Sequence, residues 1–182
     1  MLKKFVLGGM TALVLAACGG EGGSASSSAP AQSANASGSL IERINNKGTI
    51  TVGTEGTYAP FTYHDKDGKL TGYDVEVTRA VADKLGVKVE FKETQWDSMM
   101  AGLKAGRFDV VANQVGLTSP ERQATFDKSE PYSWSGAVLV ARKDSNIKSI
   151  DDIKGVKTAQ SLTSNYGEKA KAAGAELVPV DG

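Results

Sequence analysis

From Leu40 onward, short apolar runs alternate with amphipathic stretches, and the alternation predicts an order of elements. Ser39 can cap a short helix running to Lys47, with Leu40, Ile41 and Ile44 on one side and Gly48 as its stop. Thr49 to Gly53 (TITVG) reads as a buried strand, followed by the aromatic loop Tyr58-Ala59-Pro60-Phe61. Phe61 to His64 and Leu70 to Tyr73 flank Asp65-Lys66-Asp67-Gly68, a strong hairpin signal. Asp74 is placed to cap a helix ending at Leu85 and Gly86, with Val77, Ala80, Val81 and Leu85 on one face. Val87 to Phe91 alternates like a strand. Asp97 to Ala105 is periodic like a helix, with Met99, Met100 and Leu103 as its apolar face and Gly106 after it. Phe108 to Val115 is a further apolar run, and Ser119-Pro120-Glu121 looks like a helix start. Strands alternating with helices predict an α/β fold with a parallel sheet and right-handed crossovers.

Beyond Pro131-Tyr132 the pattern starts again. Gly136 to Ala141 (GAVLVA) predicts a strand, Ile150 to Ile153 a short helix, and Val156 to Ala159 a strand. Ser164 to Ala173 predicts a helix stopped by Gly174, and Glu176 to Val180 another strand. Two or three strands in about 45 residues leave sheet faces uncovered, so the second unit reads as incomplete.

The N-terminal region is of a different kind. Lys3 and Lys4 precede the apolar stretch Phe5 to Leu15, and Leu15-Ala16-Ala17-Cys18 follows. A positive segment and a short apolar core are the layout of a secretory signal, too short for a comfortable membrane span. The sequence resembles a bacterial lipobox, which implies cleavage before Cys18 and lipidation of its thiol. Residues 1–17 are thus a signal peptide and 18–39 a Gly/Ser/Ala linker with no apolar face to bury. Its root-mean-square reach is roughly 25 Å.

Composition narrows the function classes. The chain carries 21 basic and 21 acidic residues; without Lys3 and Lys4 the balance is 19 against 21, or −2. No basic stripe suggests nucleic acid. Cys18 is the single cysteine and His64 the single histidine, so neither a metal site nor a Ser-His-Asp triad is indicated, and no cofactor is implied.

Several motifs, in order, resemble the bacterial extracellular solute-binding proteins for polar amino acids. They are Thr49 to Thr54, Tyr58 to Phe61, Gly72-Tyr73-Asp74-Val75, Trp96-Asp97-Ser98-Met99, Gly106 to Val110, Asn113-Gln114-Val115, Pro120-Glu121-Arg122, Glu130-Pro131-Tyr132 and Ser164 to Glu168. The Trp-Asp, Asn-Gln-Val and Asn-Tyr combinations look most like the cystine-binding branch. The resemblance covers roughly Leu40 to Gly182. It implies a two-lobed, type II periplasmic-binding-protein-like fold, with residues 40–135 as lobe 1 and 136–182 as the start of an incomplete lobe 2. It also implies a ligand delivered to an ABC transporter permease, a hinge near Tyr132 to Val138, and a location in the cell envelope facing the periplasm or exterior. The acidic residue that the family uses for the ligand's ammonium would lie past Gly182. A chain shortened in this way is expected to have weak or absent affinity and reduced stability.

The residues themselves support binding of an amino acid. Arg122 offers a planar fork for a carboxylate; its alternative is an ion pair with Glu121 or Asp127. Thr118 and the backbone from Gly116 can add donors. Ser164, Asn165 and Tyr166 open a helix whose free N–H groups favour an anion, or simply cap it. Tyr58, Phe61 and Trp96 can wall a cleft, or pack in the core. Asn113 and Gln114 end a strand, where α/β sheets place ligands. Two other readings stand beside binding: a same-fold dehydratase acting on a prephenate-like carboxylate, for which Glu55 and Asp97 are the nearby acids, and a sensory or adhesive lipoprotein without transport.

Overall fold

The computed structural model describes residues 38–181; the signal segment, Cys18 and the linker up to residue 37 lie outside the described residues. Helix α1 (Leu40–Lys47) begins with a full capping box. The Ser39 hydroxyl accepts from the Glu42 N–H at 3.3 Å, and the Glu42 carboxylate accepts from the Ser39 N–H at 2.6 Å. Of its apolar residues only Ile44 is buried; Leu40 and Ile41 are exposed.

Strand β1 (Thr49–Thr54) is the centre of a parallel sheet. Strand β5 (Lys88–Glu93) lies on one side, in register from Thr49 opposite Lys88 to Thr54 opposite Glu93. Strand β6 (Val110–Val111) lies on the other, opposite Val52 and Gly53. The middle strand is therefore buried almost throughout. Ile44, Ile50, Val52 and Ala82 form the core, flanked by Val87, Val89, Phe91, Val110 and Ala112. Phe108 is wedged between two glycines: a β-carbon on Gly53 would stand 2.7 Å from its ring, and one on Gly102 2.8 Å.

The predicted hairpin is present as β3 (Thr62–His64) and β4 (Leu70–Thr71), and a strand not expected from the sequence, β2 (Thr57–Tyr58) at the start of the aromatic loop, pairs with β3; both pairings are antiparallel. Asp65 closes its turn by accepting from the N–H groups of Asp67 and Lys69, each at 2.9 Å. Helix α2 (Tyr73–Leu85) corrects one expectation. Its cap is Gly72, not Asp74. The carbonyls of Pro60 and Phe61 accept from the N–H groups of Tyr73 and Asp74 at 3.0 and 2.9 Å, so the helix start needs no side-chain cap. Only glycine fits at 72, because a β-carbon there would lie 2.3 Å from the Phe61 carbonyl oxygen.

Helix α3 (Trp96–Lys104) starts one residue before the predicted Asp97. The run Phe108 to Val115 supplies only the two-residue β6. At its start the Asp109 carboxylate takes the Thr51 N–H and hydroxyl at 2.8 and 2.5 Å. At its end Gln114, with φ of 51°, turns the chain away. Helix α4 (Pro120–Thr125) is capped by Ser119 as expected.

In the second unit, β7 (Lys157–Gln160) and β8 (Glu176–Pro179) pair in parallel, and α5 (Asn165–Ala172) connects them with Ser164 as its cap. A 3-10 turn spans Ile150–Ile153. The strand predicted at Gly136 to Ala141 is absent: the segment has no ladder partner among the described residues, and Val138 and Val140 are 84% and 88% exposed. Apolar content favours a strand, but a strand exists only beside a neighbour that takes its backbone hydrogen bonds.

Candidate functional site

Arg122 is the focus of the polar geometry. Its helix start is fixed by Ser119, whose hydroxyl accepts from the Arg122 N–H at 3.4 Å. The side chain is 7% exposed. It pairs with neither Glu121 nor Asp127. Nη1 donates to the Gly116 carbonyl at 2.8 Å, and Nη2 donates to the Thr163 carbonyl at 2.6 Å. The Trp96 ring centroid lies 5.6 Å from Cζ, a cation–π distance. The Trp96 Nε1 is buried and has no acceptor among the described residues.

The turn that leaves β6 leads to Gly116, whose carbonyl accepts from Arg122. Asn113 is 1% exposed; its Oδ1 accepts from the Glu55 N–H at 2.7 Å and the Thr54 hydroxyl at 3.2 Å, and its Nδ2 donates to Glu55 Oε2 at 3.3 Å. Gln114 is tied at both ends: its N–H and Nε2 donate to the two oxygens of Asp74 at 2.7 and 2.6 Å, and its Oε1 accepts from the Ser133 hydroxyl at 3.0 Å. The side chains of Asn113 and Gln114 thus shape the turn through partners inside the protein. Asp74 is fully buried. Burial pushes its carboxyl up, and the Gln114 donors and the Tyr132 hydroxyl offset only part of that. Tyr132 is pushed far up in turn, by burial and then by the Asp74 charge. Tyr73 donates to the Tyr132 carbonyl at 2.8 Å, so the segment leading out of lobe 1 is anchored at two successive residues, Tyr132 and Ser133.

Ser164 is 6% exposed and accepts from the Tyr166 N–H at 3.1 Å. The Asn165 Nδ2 lies 3.7 Å from where a β-carbon on Gly116 would stand, so the start of α5 faces the Arg122 turn. Tyr166 and Thr118 are exposed. Tyr58 and Phe61 form a tilted ring pair with centroids 5.2 Å apart, and among the described residues neither shares a ring contact or side-chain hydrogen bond with Trp96 or Arg122.

Structure brings in residues that the motif reading left outside the ligand set. Glu55 follows the carboxyl end of β1, with Oε1 buried and unpartnered. It lines a cavity of about 250 Å³ together with Thr57, Glu93, Thr94 and Gln95. Asp97 accepts from the Thr163 N–H and hydroxyl through one oxygen, at 3.0 and 2.7 Å. Burial alone would raise the Asp97 carboxyl, but the hydrogen bonds from Thr163 and the Leu162 backbone outweigh it and hold it below the ordinary range. The sequence signal for Glu55 was its place after a buried strand; nothing local marked Thr163.

A parallel α/β lobe, a second α/β unit, and between them a buried Arg122 of α4 that reaches the turn before α5 have the architecture of the type II periplasmic-binding-protein fold. The chain belongs to the bacterial extracellular solute-binding proteins, family 3, whose family model matches residues 50–176. It is 61% identical over 147 residues to the L-cystine-binding protein TcyA of Bacillus subtilis, covering 80% of this chain and 54% of that protein. It is 60% identical over 146 residues to a probable amino-acid ABC transporter-binding protein of Haemophilus influenzae, covering 80% and 56%. Among solved structures, the L-cystine solute receptor of Neisseria gonorrhoeae in its unliganded open conformation matches with 96% identity and a TM-score of 0.53, over 80% of this chain and 62% of that one. The chain spans about half the length of the curated relatives it matches.

Proposed function

We propose that this chain is the ligand-capturing part of a lipid-anchored receptor that takes up a polar amino acid, cystine or cysteine foremost, and delivers it to an ABC transporter permease. The observation that carries the reading is the buried Arg122 guanidinium. Among the described residues it has no carboxylate partner, it is roofed by Trp96, and it bonds the turn just before α5. Such a group attracts a ligand carboxylate through paired, charge-assisted hydrogen bonds. The free Trp96 Nε1 offers a further donor, and the unpartnered Glu55 Oε1 offers an acceptor for an ammonium. A donor set and an acceptor joined through the turn at Asn113 and Gly116 suit a zwitterion. The names of the relatives point to cystine in particular. Cys18 would carry the lipid and hold the protein at the outer face of a membrane.

The test is a thermal-shift screen of the full chain against the twenty amino acids and cystine, followed by titration of any hit. Cystine should raise the melting temperature in a concentration-dependent way, and Arg122→Ala should abolish the shift while the protein still melts cooperatively. A cooperative melt that no amino acid moves would overturn the assignment. Partition of the mature protein into detergent, lost in Cys18→Ser, checks the anchor.

A further inference from the structure

We infer that residues 134–140 are a self-association strand, which pairs antiparallel with the same segment of a second copy of this chain about a twofold axis at Gly136. The segment lies in no helix or strand and is exposed throughout. Over residues 127–141 no backbone N–H or carbonyl takes part in a backbone–backbone hydrogen bond among the described residues. The side chains are nevertheless those of a strand. Trp134, Val138 and Val140 are 82%, 84% and 88% exposed, whereas Leu139 between the valines is 42% exposed. In an extended segment Trp134, Gly136, Val138 and Val140 share one face. An apolar face and a row of free backbone groups therefore coincide, which is a template for strand pairing. No charged residue interrupts it between Glu130 and Arg142.

The charges on either side decide which partner fits. In an antiparallel pair centred on Gly136, Trp134 of each copy stands opposite Val138 of the other. The same register sets Glu130 opposite Arg142 and Lys128 opposite Asp144. All four are exposed, and none has an ion-pair partner among the described residues. Each opposition occurs twice, once on each side of the axis, as a closed twofold interface requires. Other centres are worse. Centring on Ala137 sets Glu130 opposite Asp144, and centring on Ser135 sets Lys128 opposite Arg142, like against like. A segment whose own flanks complement each other about one residue suits a second copy better than an unrelated strand.

The surroundings leave that approach open. A β-carbon on Gly136 would meet nothing within 4 Å. One end of the strand is pinned to the first lobe, through the Tyr132 carbonyl to Tyr73 and the Ser133 hydroxyl to Gln114. Less backbone freedom is then lost on pairing. No residue of the strand belongs to the Arg122 site, so the inference stands whether or not the proposed ligand binds.

The experiment is sedimentation velocity on the full chain over a roughly hundredfold range of concentration, where a monomer–dimer equilibrium is expected. Val138→Lys sets a charge on the apolar face beside Trp134 of the second copy and should weaken association by about tenfold or more. Val138 is exposed and in no element, so circular dichroism should not change. Glu130→Lys should weaken the dimer by about tenfold, and Arg142→Glu added to it should restore the affinity. In a Cys18→Ser background, Gly136→Cys should give a disulfide-linked dimer on air oxidation, because opposed Cα atoms lie about 4.5–5.5 Å apart. Val140→Cys should not, because its counterpart lies about eight residues further along the ladder, roughly 27 Å away. A monomer at every concentration would overturn the inference. So would a dimer that Val138→Lys leaves intact, a charge exchange that restores nothing, or crosslinking through Val140→Cys in place of Gly136→Cys.

Discussion

Asp74 offers the sharpest test of how the ligand-facing turn is held. It is a fully buried carboxylate whose two oxygens each accept from Gln114, at 2.7 and 2.6 Å. Gln114 has φ of 51°, a conformation that costs a non-glycine residue roughly 1–2 kcal/mol. Asp74→Ala leaves the Gln114 N–H and Nε2 without an acceptor. Hydrogen bonds to charged groups contribute about 1.5–3 kcal/mol each, and relief of carboxylate desolvation returns part of that, so we expect a loss of about 2–4 kcal/mol. Asp74→Asn should cost only about 1 kcal/mol. The asparagine oxygen can still accept from the Gln114 N–H, and the Gln114 amide can turn over so that its oxygen meets the new NH₂ while Ser133 accepts from its nitrogen. Urea unfolding followed by circular dichroism reads both numbers. Equal losses for the two variants would refute the amide exchange, and losses under 0.5 kcal/mol for both, an order-of-magnitude floor for such measurements, would refute the network.

The same residue gives a signed pH dependence. Burial raises its carboxyl above the ordinary value of 3.8, so in that window the folded state holds the proton more tightly than the unfolded state. The Asp74 contribution to stability is then full below 3.8 and declines as pH rises through the raised folded value. The stability difference between unmutated protein and Asp74→Asn should shrink over that rise; a difference that grows would refute the role of burial.

Other expectations follow from packing and from the remaining carboxylates. Gly102→Ala would set a β-carbon 2.8 Å from the Phe108 ring and should cost about 1–3 kcal/mol, with part recovered by Phe108→Leu in the same chain, as read by paired melts. Asp109→Asn should destabilise by about 1–3 kcal/mol, since it weakens the acceptor for the Thr51 N–H and hydroxyl. The Asp109 carboxyl lies below its ordinary value: burial would raise it, but the Thr51 bonds and the Lys47 charge prevail. Its contribution is present above 3.8 and lost as pH falls through the lowered folded value, so acid unfolding should be less steep in Asp109→Asn. Ser39→Ala removes one half of the α1 capping box and should cost about 0.5–2 kcal/mol in a thermal melt.

Local chemistry by itself determined the helix starts at Ser39, Ser119 and Ser164, the hairpin around Asp65 to Gly68, the buried β1 and the parallel α/β order. Each depends on a cap, a turn or a periodicity spanning a few neighbouring residues. The family resemblance, not local chemistry, singled out Arg122 and Trp96, which the fold brings within cation–π distance. Only tertiary structure decided which of two local options won elsewhere. Asp74 is a good cap by composition, but the carbonyls of Pro60 and Phe61 already take the first helical N–H groups, and its carboxylate is drawn to Gln114, 40 residues away. Gly136 to Ala141 has strand character but no ladder partner. Asn113 and Gln114 carry groups fit for a ligand, yet both amides are spent on Glu55, Asp74 and Ser133. Thr163 and Asp97 meet across 66 residues. A hydrogen bond goes to whichever partner the assembled chain brings within reach, and that choice is not written in the residues on either side.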